Sequence, residues 1–403
     1  MKNLYRSYYK GKISFWNTFR TEWNSIKSDK AVVSTFLSVA FIILVVYTYI
    51  YSNQIIKEVP VAVINQDGTK MSRDFIAMLE STEGTKTITK FTDLEAAKVA
   101  YYSRKVQGIV MIPKNFEKDI RSGKQTTITT FSDAANMLFY KRVLGDVTTI
   151  NGYFSAQISI KKVMAKGVSL DEAQKNYTPI KAISTSLFNT NSGYATYLIP
   201  MLTALIIQLV LLMGIGLLSG SRRETITTHT QFPRILHKRG VIVILLAKAC
   251  LYTLIYMVII PIQVGIVYSI FGIPVRSSLL SIYVFIIPYI FSVVFLGISI
   301  SSFFKRREDS IVFLVLLSIP SLMLSGLSFP VEGFSPFYKF ISDIIPSTPG
   351  MNGFVKLTQM EASFLDVLKE WNRLWFLTGF YFVIAAISLK VRAKKEVILK
   401  RTY

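Results

Sequence analysis

The chain's 403 residues include 46 Lys and Arg against 24 Asp and Glu, a formal net charge of +22, and 51% of them are hydrophobic. In a soluble protein such a basic excess would point to nucleic acid, but here the apolar residues gather into uncharged runs of membrane-spanning length, with the cations at their ends. That pattern sets aside an all-soluble fold and a nucleic-acid partner, and the single Cys250 sets aside an intrachain disulfide.

From the N-terminus, Phe15, Trp16, Phe19, Trp23 and Ile26 fall on one helical face with Lys12, Arg20 and Lys27 beside it. The spacing predicts an elbow helix lying flat in the interface within residues 1–30; the same aromatics would equally anchor the following span at headgroup depth. Ala31 to Ile50 is uncharged, and at about 1.5 Å per helical residue it matches a hydrocarbon core of roughly 30 Å. The long segment before it, and the lack of a small-residue cleavage pattern in Tyr51-Ser52-Asn53, make this first span (31–51) a retained anchor rather than a signal peptide.

Residues 52–193 alternate strand and helix signals, which predicts a small α/β domain. Val59 to Ile64 is a β-branched run ending in the turn sequence Asn65-Gln66-Asp67-Gly68; a helix over Met71–Ser81, a strand over Thr87–Phe91 and a helix capped by Asp93 and running to about Arg104 follow. A strand over Val106–Ile112, a short helix between Pro113 and Gly123 and a strand over Thr126–Phe131 complete the pattern. From Ala134 to about Lys166 a longer helical arm is expected, weakened by Gly145 and Gly152. Asp67 and Asp133 stand at strand ends, where catalytic carboxylates often sit, but turn capping explains them better.

Five further spans lie within residues 194–390: Tyr194–Leu218, Val241–Phe271, Leu279–Phe304, Ile311–Phe329 and Leu374–Leu389, the last beginning as early as Trp371 and carrying Arg373 in the interface. The fold class is thus a polytopic α-helical membrane protein of six transmembrane helices with an inserted extracytoplasmic α/β domain. Gln208 lies mid-span, either lining a substrate path or hydrogen-bonding to a neighbouring helix. Lys248, nine residues past Arg239, is expected to snorkel to the headgroups. The prolines and glycine in Ser318-Ile319-Pro320 and Ser325-Gly326-Leu327-Ser328-Phe329-Pro330 loosen the fifth span and point to an outer re-entrant segment over 320–350. Ser325, Gly326 and Pro330 join Gln208 as candidate translocation-path residues.

Lys and Arg concentrate before the first span, in the 219–240 loop, after the fourth span and in the 391–403 tail, which places these segments and both termini in the cytoplasm and residues 52–193 outside it. No G-x-x-x-x-G-K-[ST], H-E-x-x-H or C-x-x-C occurs, and the two histidines, His229 and His237, share one basic loop. The residues offer no enzyme site, no metal site and no bound cofactor; any use of ATP needs a partner.

The insert carries Val61-Ala62-Val63-Ile64-Asn65-Gln66-Asp67, Gly108-Ile109-Val110-Met111-Ile112-Pro113-Lys114-Asn115-Phe116 and Leu187-Phe188-Asn189, followed later by Ser325-Gly326 through Phe329-Pro330. In this order and at these separations the chain resembles the membrane subunits of type-2 ABC exporters, in the subgroup with a large extracytoplasmic insert after the first helix. The resemblance implies a permease half moving a lipophilic small molecule or lipid out across the cytoplasmic (inner) membrane of a bacterium. It implies a separate ABC ATPase that uses the ATP, a second permease chain (a homo- or heterodimer), membrane lipids and a periplasmic adaptor as partners. It also implies ATPase coupling through the elbow helix and the loop Ser221-Arg222-Arg223-Glu224-Thr225, with Pro233 beyond and Lys248 at the place of a frequent Gly-Lys. The family's first acidic residue and its glycine are absent from this loop. Two other classes stay open: a membrane-anchored extracytoplasmic binding or assembly protein, and a secondary transporter, for which paired intramembrane acids would be expected.

Overall fold

The computed structural model describes residues 15–177, 187–190, 192–224, 240–304 and 306–399. They divide into two units, Met1–Gln54 with Ser186–Tyr403, and Ile55–Thr185.

In the first unit, α1 (Phe15–Ser28) stops where Asp29 leaves helical geometry and caps the next helix, its carboxylate accepting from Ala31 N at 3.0 Å. That helix, α2 (Lys30–Ile50), is the first of five among the described residues that are long enough and apolar enough to cross a membrane. The remaining candidates are Tyr194–Ser219, Gly240–Ile270, Leu279–Ser301 and Phe364–Val391. The fifth expected span is shorter than its sequence suggests: among the described residues the apolar helix ends at Leu324, not Phe329. Ser325 closes its last turn and Gly326 takes φ +92°, a left-handed backbone that glycine adopts without a Cβ clash and that ends a helix. From Ile311 to Leu324 the apolar stretch is 14 residues, about 21 Å at 1.5 Å each. The final span runs the other way: read as the shortest, it lies in a helix that begins at Leu368 and continues to Leu399.

The second unit has a four-stranded sheet in the order β2-β1-β3-β4, formed by β1 (Val59–Asn65), β2 (Thr85–Ile88), β3 (Gly108–Ile112) and β4 (Thr129–Ser132). β1 is parallel to β2 and β3, and β4 is antiparallel to β3. The chain leaves β1 toward one sheet edge through α3 (Lys70–Glu80) and returns past it to β3 through α4 (Leu94–Tyr102). Right-handed crossovers in opposite directions put the two helices on opposite faces, and the buried side chains divide accordingly. Val59, Val61 and Val63 pack with Phe75 and Leu79 of α3, while Ala62 and Ile64 pack with Ala97 and Ala100 of α4. The period-two alternation of a strand thereby feeds both cores.

α5 (Phe116–Arg121) and α6 (Met137–Met164) cover the α3 face, where Phe75, Phe116 and Phe154 meet with ring centroids 5.4 to 6.4 Å apart. α7 (Leu170–Tyr177) follows. The glycines expected to weaken the arm do not interrupt α6. The second strand begins two residues and ends three residues earlier than its composition suggests, because its bounds follow its pairing with Val59–Ala62 of β1.

Candidate functional site: the polar ties of the helical unit

The helix α8 (Tyr194–Glu224) is the most buried of the candidate spans, and the polar side chains around it show how it is held. From α9 (Gly240–Ile270), Tyr268 shares a 2.6 Å hydrogen bond with Thr203, and Tyr256 donates to the Ile207 carbonyl at 3.3 Å. From α10 (Leu279–Ser301), Tyr289 donates to the Ala204 carbonyl at 2.7 Å. All three phenols are buried. A hydroxyl taken out of water must find an acceptor, and a helix carbonyl retains a lone pair after its intrahelical bond; the tyrosines therefore tie their helices to α8.

Gln208 lies one turn beyond Ala204, 1% exposed, and its Oε1 has no hydrogen-bond partner among the described residues. Gln263 is likewise buried; its Nε2 donates to the Ala40 carbonyl at 3.3 Å, and its Oε1 is unsatisfied. The bond runs from the π-helical segment Pro261–Val267 of α9 to Ala40, the residue that follows the π-helical segment Thr35–Val39 of α2. A π turn shifts the hydrogen-bond register, so side chains from another helix can reach its displaced carbonyls.

The expected re-entrant region forms two short helices, α12 (Pro336–Ile344) and α13 (Ser347–Gln359), after α11 (Arg307–Leu324). They satisfy the end of α11: the Leu324 carbonyl accepts from Ser342 Oγ at 2.7 Å and Thr348 Oγ1 at 3.4 Å. Ser325 is buried and donates to the Leu322 carbonyl, and Pro330 leads into a 3-10 turn over Val331–Gly333. α13 is buried on nearly every side, packed closely against its neighbours. Its glycines allow that approach: a Cβ on Gly350 would stand 2.6 Å from Cε2 of the Tyr289 ring, and one on Gly353 would enter the Phe285 ring. Gln208, Ser325, Gly326 and Pro330 thus all belong to one helical unit, with α13 and Tyr289 packed among the same helices.

On α1 the buried stripe is Thr18, Glu22 and Ile26. Phe15, Trp16 and Phe19 cluster on another face with Trp16 exposed, and Lys27 stands 4.7 Å over the Trp23 ring. Glu22 is 2% exposed and was missed in the sequence. Lys248, expected to snorkel, instead approaches Glu22 at 3.3 Å, and Tyr252 donates to the same carboxylate at 2.9 Å. The available signal was slight: an acid centred on the i, i+4, i+8 spacing of Thr18, Glu22 and Ile26, opposite a lysine otherwise surrounded by apolar residues.

Arg222, Arg223 and Glu224 are the last three residues of α8. Thr225, Pro233 and both histidines lie outside the described residues. In the second unit, Asp67 accepts from Thr69 Oγ1 and, at 3.3 Å, from Glu117 N; Glu117 Oε2 reaches back to Met71 N at the same distance. These bonds link the segments that follow β1 and β3, the neighbouring strands between which the strand order reverses. The Arg121 guanidinium beside Glu117 holds that carboxyl below its usual pKa. Asp133 caps its own turn through Ala135 N. Among the described residues no group of His, Cys, Asp and Glu is placed to hold a metal ion.

Residues 30–387 match the family model described as "ABC-2 family transporter protein". No curated protein matches the chain.

Proposed function

The chain belongs to the ABC-2 transporter family, a membrane subunit that works with an ABC ATPase, and from that premise we propose that it is the permease half of an ATP-driven exporter of the subgroup with a large extracytoplasmic domain. One observation carries the reading: the family match extends from residue 30 to residue 387, a range that takes in the α/β unit together with the candidate spans on either side of it in the sequence. The substrate class we assign, by analogy with the family, is a lipophilic small molecule or lipid; the lack of paired intramembrane acids among the described residues of the helical unit argues against a secondary transporter. The chain binds no cofactor itself; ATP acts through the partner subunit. Two permease chains enclose the path, with Gln208 and the Ser325, Gly326, Pro330 bend along it, and a periplasmic adaptor receives the substrate. The Lys and Arg distribution supports a cytoplasmic-membrane protein with both termini inside and residues 52–193 outside.

Coupling is assigned to the interfacial helix with Phe15, Trp16, Phe19 and Trp23, and to Arg222, Arg223, Glu224, Thr225 and Pro233. ATP-driven closure of the ATPase shifts the permease only if these contacts differ in energy between its two states. The test is gentle purification from the native membrane through a C-terminal tag. An ATPase subunit co-purifies, and Glu224→Ala leaves the assembly intact while uncoupling hydrolysis from transport. A properly inserted variant with wild-type transport removes Glu224 from the mechanism, and repeated preparations without any ATPase favour an anchored binding protein.

A further inference from the structure

We propose that Glu22 is a positioning residue that locks α1 to α9, so that the two elements exposed to the ATPase, α1 and the end of α8, are driven as one body. The inference rests on the permease reading above. Among the described residues Glu22 is the buried acid of the helical unit, and a carboxylate so withdrawn from water is stable only when paired and hydrogen-bonded. The Lys248 ammonium at 3.3 Å supplies the charge and the Tyr252 phenol at 2.9 Å a hydrogen bond; the two stand one turn apart on α9 and face α1 together. A weakly packed amphipathic helix would slide on its neighbour, whereas a carboxylate held from two sides fixes both its rotation and its height.

The contact continues inward. The Tyr252 ring stacks on Phe36 with centroids 5.8 Å apart, and Phe36 lies in the π-helical segment of α2. Phe36 presses on α8 at Gly214, where a Cβ would stand 2.6 Å from the ring. Gly214 is about 12 Å along the helix from Arg222, at 1.5 Å per residue. Phe36 therefore joins α1, through α9 and α2, to the part of α8 that leads to Arg222 and Glu224.

The test uses the permease with its co-purified ATPase in lipid nanodiscs, in a Cys250→Ser background, with spin labels on the exposed positions 24 of α1 and 246 of α9. The parent gives one narrow distance that is the same without nucleotide and with ATP-vanadate. Glu22→Gln and Lys248→Met broaden it without nucleotide and shift it by several ångströms on trapping, whereas Glu22→Lys combined with Lys248→Glu restores the narrow distribution. A Glu22→Gln distribution identical to the parent's in both states overturns the proposal, as does a parent in which ATP-vanadate separates the labels. The readings fail separately. If no ATPase co-purifies and no hydrolysis is seen, the transport reading falls, while the nucleotide-free distances still decide whether Glu22 holds α1 to α9.

Discussion

Asp146 shows at the scale of one residue how burial and pairing oppose each other. It sits on α6, where burial raises its carboxyl pKa while Arg142, 3.5 Å away, and Thr82, donating at 3.3 Å, pull it down; burial dominates and the pKa lies above the ordinary carboxylate value. A pKa raised on folding means that the folded chain holds the proton more tightly than the unfolded one. The contribution to stability is therefore fully present below the unfolded pKa and is lost as pH rises through the higher folded value. Asp146→Asn has no such loss. Melting of the full-length variant and the parent, compared from pH 3 to pH 8, should show the variant gaining on the parent as pH rises through the carboxyl range. A flat difference would mean that burial and pairing cancel, and one that favours the parent at high pH would mean that Arg142 and Thr82 outweigh burial.

At the scale of the element, two helices use glycine for opposite reasons. Gly145 of α6 is exposed, and a Cβ added there meets nothing within 4 Å, so Gly145→Ala should stabilise the α/β unit by about 0.5–1 kcal/mol through helix propensity alone. Gly350 of α13 lies against the Tyr289 ring, and Gly350→Ala should instead cost about 1–3 kcal/mol, as overpacking does. Thermal melting of both variants, with hydrogen exchange to assign each change to its helix, checks the pair of signs. The sequence displays both glycines and distinguishes neither, since propensity is local and the Tyr289 ring comes from another helix. The same division explains what was legible. Val59 to Ile64 reads as a strand from its own residues, Asp93 reads as a cap and accepts from Ala96 N, and the apolar runs read as spans. The bounds of β2 depend on pairing with β1, the end of α11 on Ser325 and Gly326, and the role of Glu22 on partners as far as 230 positions along the chain. A local pattern carries none of these.

For the whole molecule, charge at the ends of the spans is expected to set the side of the membrane on which each segment lies. The membrane helices are plain in hydropathy, but a helix of the same composition could cross in either direction; Lys and Arg break that symmetry because they are retained on the cytoplasmic side. The α/β unit mixes both signs, with exposed pairs such as Lys57 with Glu83 and Lys98 with Glu95, and a long segment of this kind weighs little in the count, so the short flanking segments decide. Single cysteines in a Cys250→Ser background make this measurable in intact cells with a membrane-impermeant maleimide. Position 124, exposed in the α/β unit, should label from outside, whereas positions 2 and 401 should label only after permeabilisation. Moving the cations of the 219–240 loop, such as Arg234, Lys238 and Arg239, to the connector after α9 should lower the fraction of correctly oriented chains. If position 124 were protected in intact cells while position 401 reacted, the topology would be inverted. The α/β unit would then lie on the ATPase side, and the coupling role of Arg222, Arg223 and Glu224 would fall with it.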